Sequence, residues 1–273
     1  MKSVLKFILS HSIFVSFCAF ALTFQTYILS NKPINLSICW LVFFSTIAAY
    51  NLYWALSKWS FNINNPVLFS NYWIHFVLLI FSFLVVIDLL WQMPLVFPFI
   101  LISVVLTLLY TIIVLPIFKN ISEKSNGLVK TFTLALTWTF VTVVIPLYDQ
   151  LFQSGFWVLI STRFFFLLML CVIFDARDAK MDMLLKMDTS VSKVNSKLLS
   201  VLMFLIILAN GLLLFLFGNF FQSQSQVFVL MCSSSLAFVL YLLSFKKRGY
   251  FFYYFMVDGM MLLSSFASYM LTI

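Results

Sequence analysis

Asp175, Asp178 and Asp182 stand in the segment FDARDAKMD, directly behind a long apolar run. In a helix that continues past Phe174, spacings of three and four residues bring all three carboxylates to one face. Hard oxygen donors grouped in this way suit Mg²⁺, which binds through one or two carboxylates and completes its shell with water and substrate phosphate. The same segment also reads as a solvated acidic loop whose charges pair with Arg177, Lys180 and Lys186.

The elements that would hold these groups follow from composition. Of 273 residues, 64% are hydrophobic and 19% aromatic, and only 9% are charged. A soluble domain carries roughly a quarter charged residues, so the chain reads as an all-α, polytopic membrane protein. Its net charge of +8 does not make it a nucleic-acid binder, because the basic residues are confined to short segments between apolar spans. Cys18, Cys39, Cys171 and Cys232 all fall inside apolar runs, with no C-x-x-C pair, and read as small buried hydrophobes.

With a span of about 20 apolar residues as the unit, nine segments emerge: 7–29, 34–56, 72–91, 95–118, 132–148, 156–174, 198–217, 227–245 and 250–271. They form a single transmembrane unit over residues 1–273. Lys2 and Lys6 precede the first span as they would in a signal peptide, but the run is too long and lacks a small-residue cleavage site before Lys32. Pro33, Pro66 and Pro94 lie near helix starts, where a missing N–H costs little. Pro98, Pro116 and Pro146 lie within or near the ends of apolar runs, where kinks form.

Nine spans put the amino terminus and the segments after spans two, four, six and eight on one side. All but Lys32 and Arg163 of the 16 Lys and Arg residues then share that side. The positive-inside rule makes it cytoplasmic and leaves the carboxyl terminus outside. The expected location is the plasma (inner) membrane. The aspartate cluster, the AYNLYWALSKW segment around Asn51, and the stretch from Lys119 to Lys130 would all emerge into the cytoplasm. A charged mouth over an aromatic interior suits an amphiphile with an anionic head and a hydrocarbon tail.

These residues resemble those of the UbiA family of intramembrane prenyltransferases, whose members have nine transmembrane helices and two cytoplasmic aspartate-rich motifs, after helices two and six. The second motif, D-x-x-D-x-x-x-D, is matched at Asp175, Asp178 and Asp182. The resemblance extends through LLYTIIVLPIFKN and GLVKTFTLALTWTFVTVVIP, is strongest from Gly127 to Asp182, and covers essentially the whole chain. The first motif, N-D-x-x-D-x-x-x-D in family enzymes, is lost: Asn51, Leu52, Ala55 and Trp59 stand at its positions, and only the asparagine remains. Downstream of the second motif, where family members commonly carry glycine, then a basic residue and threonine or serine, this chain reads Lys186, Met187, Asp188, Thr189.

The resemblance implies transfer of a prenyl group from an allylic diphosphate to a lipid-soluble aromatic or quinone-precursor acceptor. Mg²⁺ on Asp175, Asp178 and Asp182 would assist diphosphate departure. Asn51, Lys119, Lys130 and Tyr110 would contact the diphosphate, and aromatic faces would shelter the carbocation. Lys58 is placed to contact diphosphate or to serve as a positive-inside anchor. The loss of the first motif equally fits a UbiA-like protein without transferase activity that binds an isoprenoid lipid or a partner protein. A transporter using the carboxylates for ion coupling ranks last, since no paired repeat with broken helices is visible.

Other polar residues in the spans read as structural. Arg163 inside span six must pair, snorkel or face protein. Asp258 lies in span nine, where it serves packing or touches the cavity. His11 and His75 lack partners for a metal site, and Asp88 and Asp149 lie toward the outer face.

Overall fold

The computed structural model describes residues 7–61, 68–114, 127–185, 196–221, 223–246 and 248–272, with side chains described at all of these except 57–61, 68–72, 127, 154, 178–185 and 196–198. Among the described residues the chain is helical, without strands. The helices are α1 (Ile13–Leu29), α2 (Leu36–Phe61), α3 (Leu68–Gln92), α4 (Phe97–Val114), α5 (Gly127–Thr139), α6 (Ser154–Leu185), α7 (Ser196–Phe221), α8 (Gln224–Ser244) and α9 (Asp258–Met270). Such a bundle satisfies every backbone group within each segment, as a hydrocarbon environment requires.

Among the described residues, six helical stretches are long and apolar enough to cross a membrane: Leu36–Leu56, Trp73–Gln92, Pro94–Val114, Gly155–Arg177, Leu199–Phe221 and Gln224–Ser244. Nine spans were expected. Two of the remaining apolar segments, Ile13–Leu29 and Leu128–Val144, fall below that length. α1 is shortened by Ser12, whose φ of 62° breaks the helix from the residues before it. α5 gives way to a π-helical turn at Phe140–Val144, and α9 is preceded by another at Phe252–Val257. Pro94 opens a 3₁₀ turn that leads into α4, and Pro98 sits in that helix's first turn. Pro66 and Pro116 lie outside the described residues.

α6 is the centre of the bundle. In its apolar window 67% of residues are buried, against 17% to 28% in those of α3, α4 and α7, which present their sides outward. α6 packs on α5, α7 and α8, α1 packs between α2 and α9, and α2 on α3. The main cluster of buried side chains follows α6 from Phe166 to Ala176 and takes in Met203 of α7 and Met260 of α9. The outward faces are apolar, as at Ile80, Leu101, Phe204 and Phe215.

Lipid supplies no hydrophobic drive between helices, so close packing and polar contacts must hold them. A seam of small and polar residues does so between α1 and α9. Cys18 Sγ donates to the Asp258 carbonyl (3.3 Å) and Ser265 Oγ to the Ala21 carbonyl (2.5 Å). Gln25 Nε2 donates to Ser264 Oγ (3.0 Å) and Ser268 Oγ (2.8 Å). Arg163, 4% exposed, is absorbed here: Nη1 donates to Gln25 Oε1 at 2.8 Å, and Nη2 reaches Thr26 Oγ1 and the Leu22 carbonyl at 3.4 and 3.5 Å. These partners are neutral amide, hydroxyl and carbonyl groups on α1.

Candidate functional site

α6 is 32 residues long, or about 48 Å at 1.5 Å per residue, well beyond the roughly 30 Å hydrocarbon core. Asp175 lies 21 positions after Ser154, about 31 Å along that axis, where one boundary of an aligned bilayer would fall. The helix continues through positions 178 and 182. At 3.6 residues per turn the three aspartate positions occupy one strip roughly 60° wide. The helical face expected from the spacing is therefore present. The side chains of Asp178 and Asp182 lie outside the description, and so does Lys119.

Asp175 is buried, at 6% exposure, and already has partners on α5. The Thr131 hydroxyl donates to its Oδ2, and Lys130 Nζ stands 3.9 Å from Oδ1. Lys130 and Thr131 are adjacent in sequence and reach the same carboxylate from one turn of α5. Arg177, two positions further along α6, lies against aromatic rings. Its guanidinium carbon lies 5.2 Å from the ring centres of Phe174 and Tyr253 and 5.4 Å from that of Tyr254. A guanidinium over aromatic faces gains from their negative quadrupole.

Other helices close on the same end. Tyr110 of α4 lies within electrostatic range of Asp175, Cys171, Tyr50 and Tyr53. Its ring centre is 6.3 Å from that of Tyr53, and Tyr50 meets Trp138 at 6.4 Å. Cys171, one turn before Asp175 on α6, is within range of Asp175, Asp258 and Lys130. Asp258, 9% exposed, faces Tyr50, Cys171 and Arg177. Of the expected site residues, Tyr110, Lys130 and Asp175 are thus brought together. Tyr50, Thr131, Cys171 and Asp258 join them. Cys171 and Asp175 share a helical face by their four-residue spacing, which the sequence displays, whereas the approach of Tyr50 and Asp258 depends on helix packing.

Asn51 is on the correct segment but is otherwise engaged. It is 1% exposed, Nδ2 donates to the Ile47 carbonyl at 2.8 Å, and Oδ1 accepts from His75 Nδ1 at 2.6 Å. That bond fixes the proton of His75 on Nδ1. The His75 ring is stacked between His11 and Trp54, each at 4.6 Å. The side chains of Lys58 and Trp59 lie outside the description.

Among the described residues no three His, Cys, Asp or Glu side chains converge as a metal-binding group. Three carboxylate-bearing positions nevertheless share one strip of α6, a donor set of the kind Mg²⁺ takes. No protein-family model matches the chain, and no curated protein or solved structure matches it.

Proposed function

We propose that the chain is a UbiA-like intramembrane prenyltransferase that moves a prenyl group from an allylic diphosphate to a lipid-soluble aromatic or quinone-precursor acceptor. The observation that carries this reading is the convergence of α2, α4, α5 and α6 at one end of an apolar bundle. There a carboxylate strip and the cation Lys130 adjoin the aromatic rings of Tyr50, Tyr53, Tyr110 and Trp138. In this reading α1, α5 and α9 cross the membrane with the six longer helices, giving nine spans, a cytoplasmic amino terminus and an external carboxyl terminus in the plasma (inner) membrane.

Asp175, Asp178 and Asp182 would hold Mg²⁺, which when bound supplies charge neutralisation to the leaving diphosphate. The chain's own residues do the rest. Lys130, with Lys119 as its expected neighbour, binds phosphate oxygens; an ammonium substitutes for part of the metal charge that the missing first motif would have held. The phenol of Tyr110 donates a hydrogen bond to the same oxygens. Tyr50, Tyr53 and Trp138 present π faces to the allylic cation, which they stabilise without trapping it covalently. The surrounding apolar helices exclude the water that would hydrolyse it.

A second reading, a non-catalytic UbiA-like protein that binds an isoprenoid lipid or a partner protein, draws on the engagement of Asn51 by His75 and Ile47. Binding of a radiolabelled geranylgeranyl diphosphate analogue to the purified protein, with and without Mg²⁺, separates the two. Mg²⁺-dependent binding that is lost in Asp175→Asn and Asp178→Asn supports the transferase. No binding of any donor length, or binding indifferent to both substitutions, refutes it.

A further inference from the structure

The end of the bundle opposite Asp175 holds a second site. The connections α1–α2 and α5–α6 enclose an open cavity of about 570 Å³, within the size range of small-ligand sites. Tyr27, Lys32, Leu36 and Asp149 line it. Tyr27 is 4% exposed, and its hydroxyl has no hydrogen-bond partner among the described residues. A buried hydroxyl left this way is uncommon in proteins and calls for a ligand or water to satisfy it.

The charges around that hydroxyl are of both signs. Asp149 lies within electrostatic range of Tyr27, and among the described residues neither Lys32 nor Asp149 forms a salt bridge. The α1 terminus fixes Lys32 in place. Asn31 takes the left-handed conformation at φ 53°, with Asn31 N–H bonded to the Ile28 carbonyl and Lys32 N–H to the Tyr27 carbonyl. This is the Schellman closure. Across the turn, Asn35 Oδ1 caps the Ser37 and Ile38 amides, while the Leu36 amide has no protein acceptor among the described residues. That free amide and the positive end of α2 favour an anion beside Lys32.

We infer that this cavity binds the headgroup of a zwitterionic ethanolamine phospholipid from the adjacent leaflet. Phosphate is held by Lys32 and the Leu36 amide, and the primary ammonium by Asp149 and the Tyr27 phenol oxygen. The location argues for a lipid rather than a solute. The cavity sits where α1 ends and α2 begins, and the exposed apolar side chains of Ile34, Leu36 and Trp40 continue from it along α2 as a track for acyl chains. A choline headgroup offers no N–H to Asp149, and a glycerol headgroup offers no cation.

The test is lipid retention by the full-length protein, measured by native mass spectrometry after purification from nanodiscs of equal phosphatidylethanolamine, phosphatidylcholine and phosphatidylglycerol. Wild type is expected to retain phosphatidylethanolamine over each competitor by about tenfold, the worth of one charge-assisted hydrogen bond. Asp149→Asn, at an exposed position, is expected to erase the preference over phosphatidylglycerol, and Lys32→Gln to lower retention of all three. A thermal melt in detergent checks that both variants are folded. Equal retention of the three lipids by wild type, or a preference unmoved by Asp149→Asn, overturns the assignment. A third arm titrates soluble phosphoethanolamine into delipidated protein. Binding there with the same variant pattern, without retained phosphatidylethanolamine, makes the ligand a free solute and overturns the lipid assignment.

Discussion

Replacing Lys130 with methionine removes one charge from the candidate site while keeping a side chain of similar length. Lys130 Nζ is 3.9 Å from Asp175 Oδ1, and the side chains are 20% and 9% exposed. At an effective dielectric constant near 20, two unit charges at that distance attract by about 4 kcal/mol. The separation exceeds a direct hydrogen bond and solvent reaches Lys130, so the net loss of stability on substitution is about 1 to 2 kcal/mol. Thr131 still donates to Asp175, and the fold is expected to persist.

The functional consequence has two signs. Without the neighbouring ammonium, Asp175 becomes a better cation ligand, and Mg²⁺ affinity is expected to rise several-fold. A prenyl diphosphate loses a charged hydrogen-bond donor worth about 1.5 to 3 kcal/mol, so its affinity is expected to fall about tenfold to a hundredfold at every Mg²⁺ concentration. The assay is equilibrium titration of a labelled diphosphate analogue across a Mg²⁺ series, with a detergent melting curve as the folding control. Wild-type donor affinity in Lys130→Met at saturating Mg²⁺ would show that Lys130 only neutralises Asp175, and would refute its placement on the phosphate.

Gln25→Leu removes the 2.8 Å acceptor of the buried Arg163 guanidinium and is expected to destabilise the protein by about 2 to 4 kcal/mol. In a double-mutant cycle with Arg163→Leu, the two substitutions are expected to be non-additive by about 1 kcal/mol or more, and additive unfolding energies in detergent would contradict the contact. Asn51→Leu breaks the bonds to both His75 and Ile47 and is expected to cost about 1 to 3 kcal/mol, read as a lower melting temperature. Asp258→Asn takes a carboxylate away from Tyr50, Cys171 and Arg177. It is expected to leave diphosphate binding within about twofold, because a carboxyl buried in an apolar bundle is costly to ionise and repels the donor little. A larger change in either direction would show that the Asp258 carboxyl is ionised and contributes to the site's electrostatics.

What the sequence disclosed about the fold follows from the solvent. Runs of apolar residues near 20 long announce helices whose backbone is satisfied internally, and the described helices fall within the expected segments or extend from them. Helix interruptions were less legible. Nothing in SHSIF or WTFVTVV signals the left-handed Ser12 or the π turn at Phe140–Val144, because neither carries a glycine or proline. Arg163 was recognisable as a charge that needs partners. That these are Gln25, Thr26 and the Leu22 carbonyl, 137 residues and more away, depends on which face of α1 packs against α6. No local pattern encodes that choice.

The candidate site divides along the same line. Cys171, Asp175, Asp178 and Asp182 are related by helical spacing on one element, and their alignment could be read directly. Thr131, Tyr50 and Asp258 come from three other helices and become neighbours only when those helices close on α6. Their arrival changes the chemistry expected of Asp175. An isolated carboxylate at a membrane boundary would take up a cation freely, but this one is held by the Thr131 hydroxyl and flanked by Lys130. A metal gains Asp175 only by displacing or rotating those groups, and displacement is favourable when an incoming diphosphate takes over the freed ammonium. Cation and diphosphate should therefore bind Asp175 and Lys130 together, each strengthening the other, rather than in independent steps.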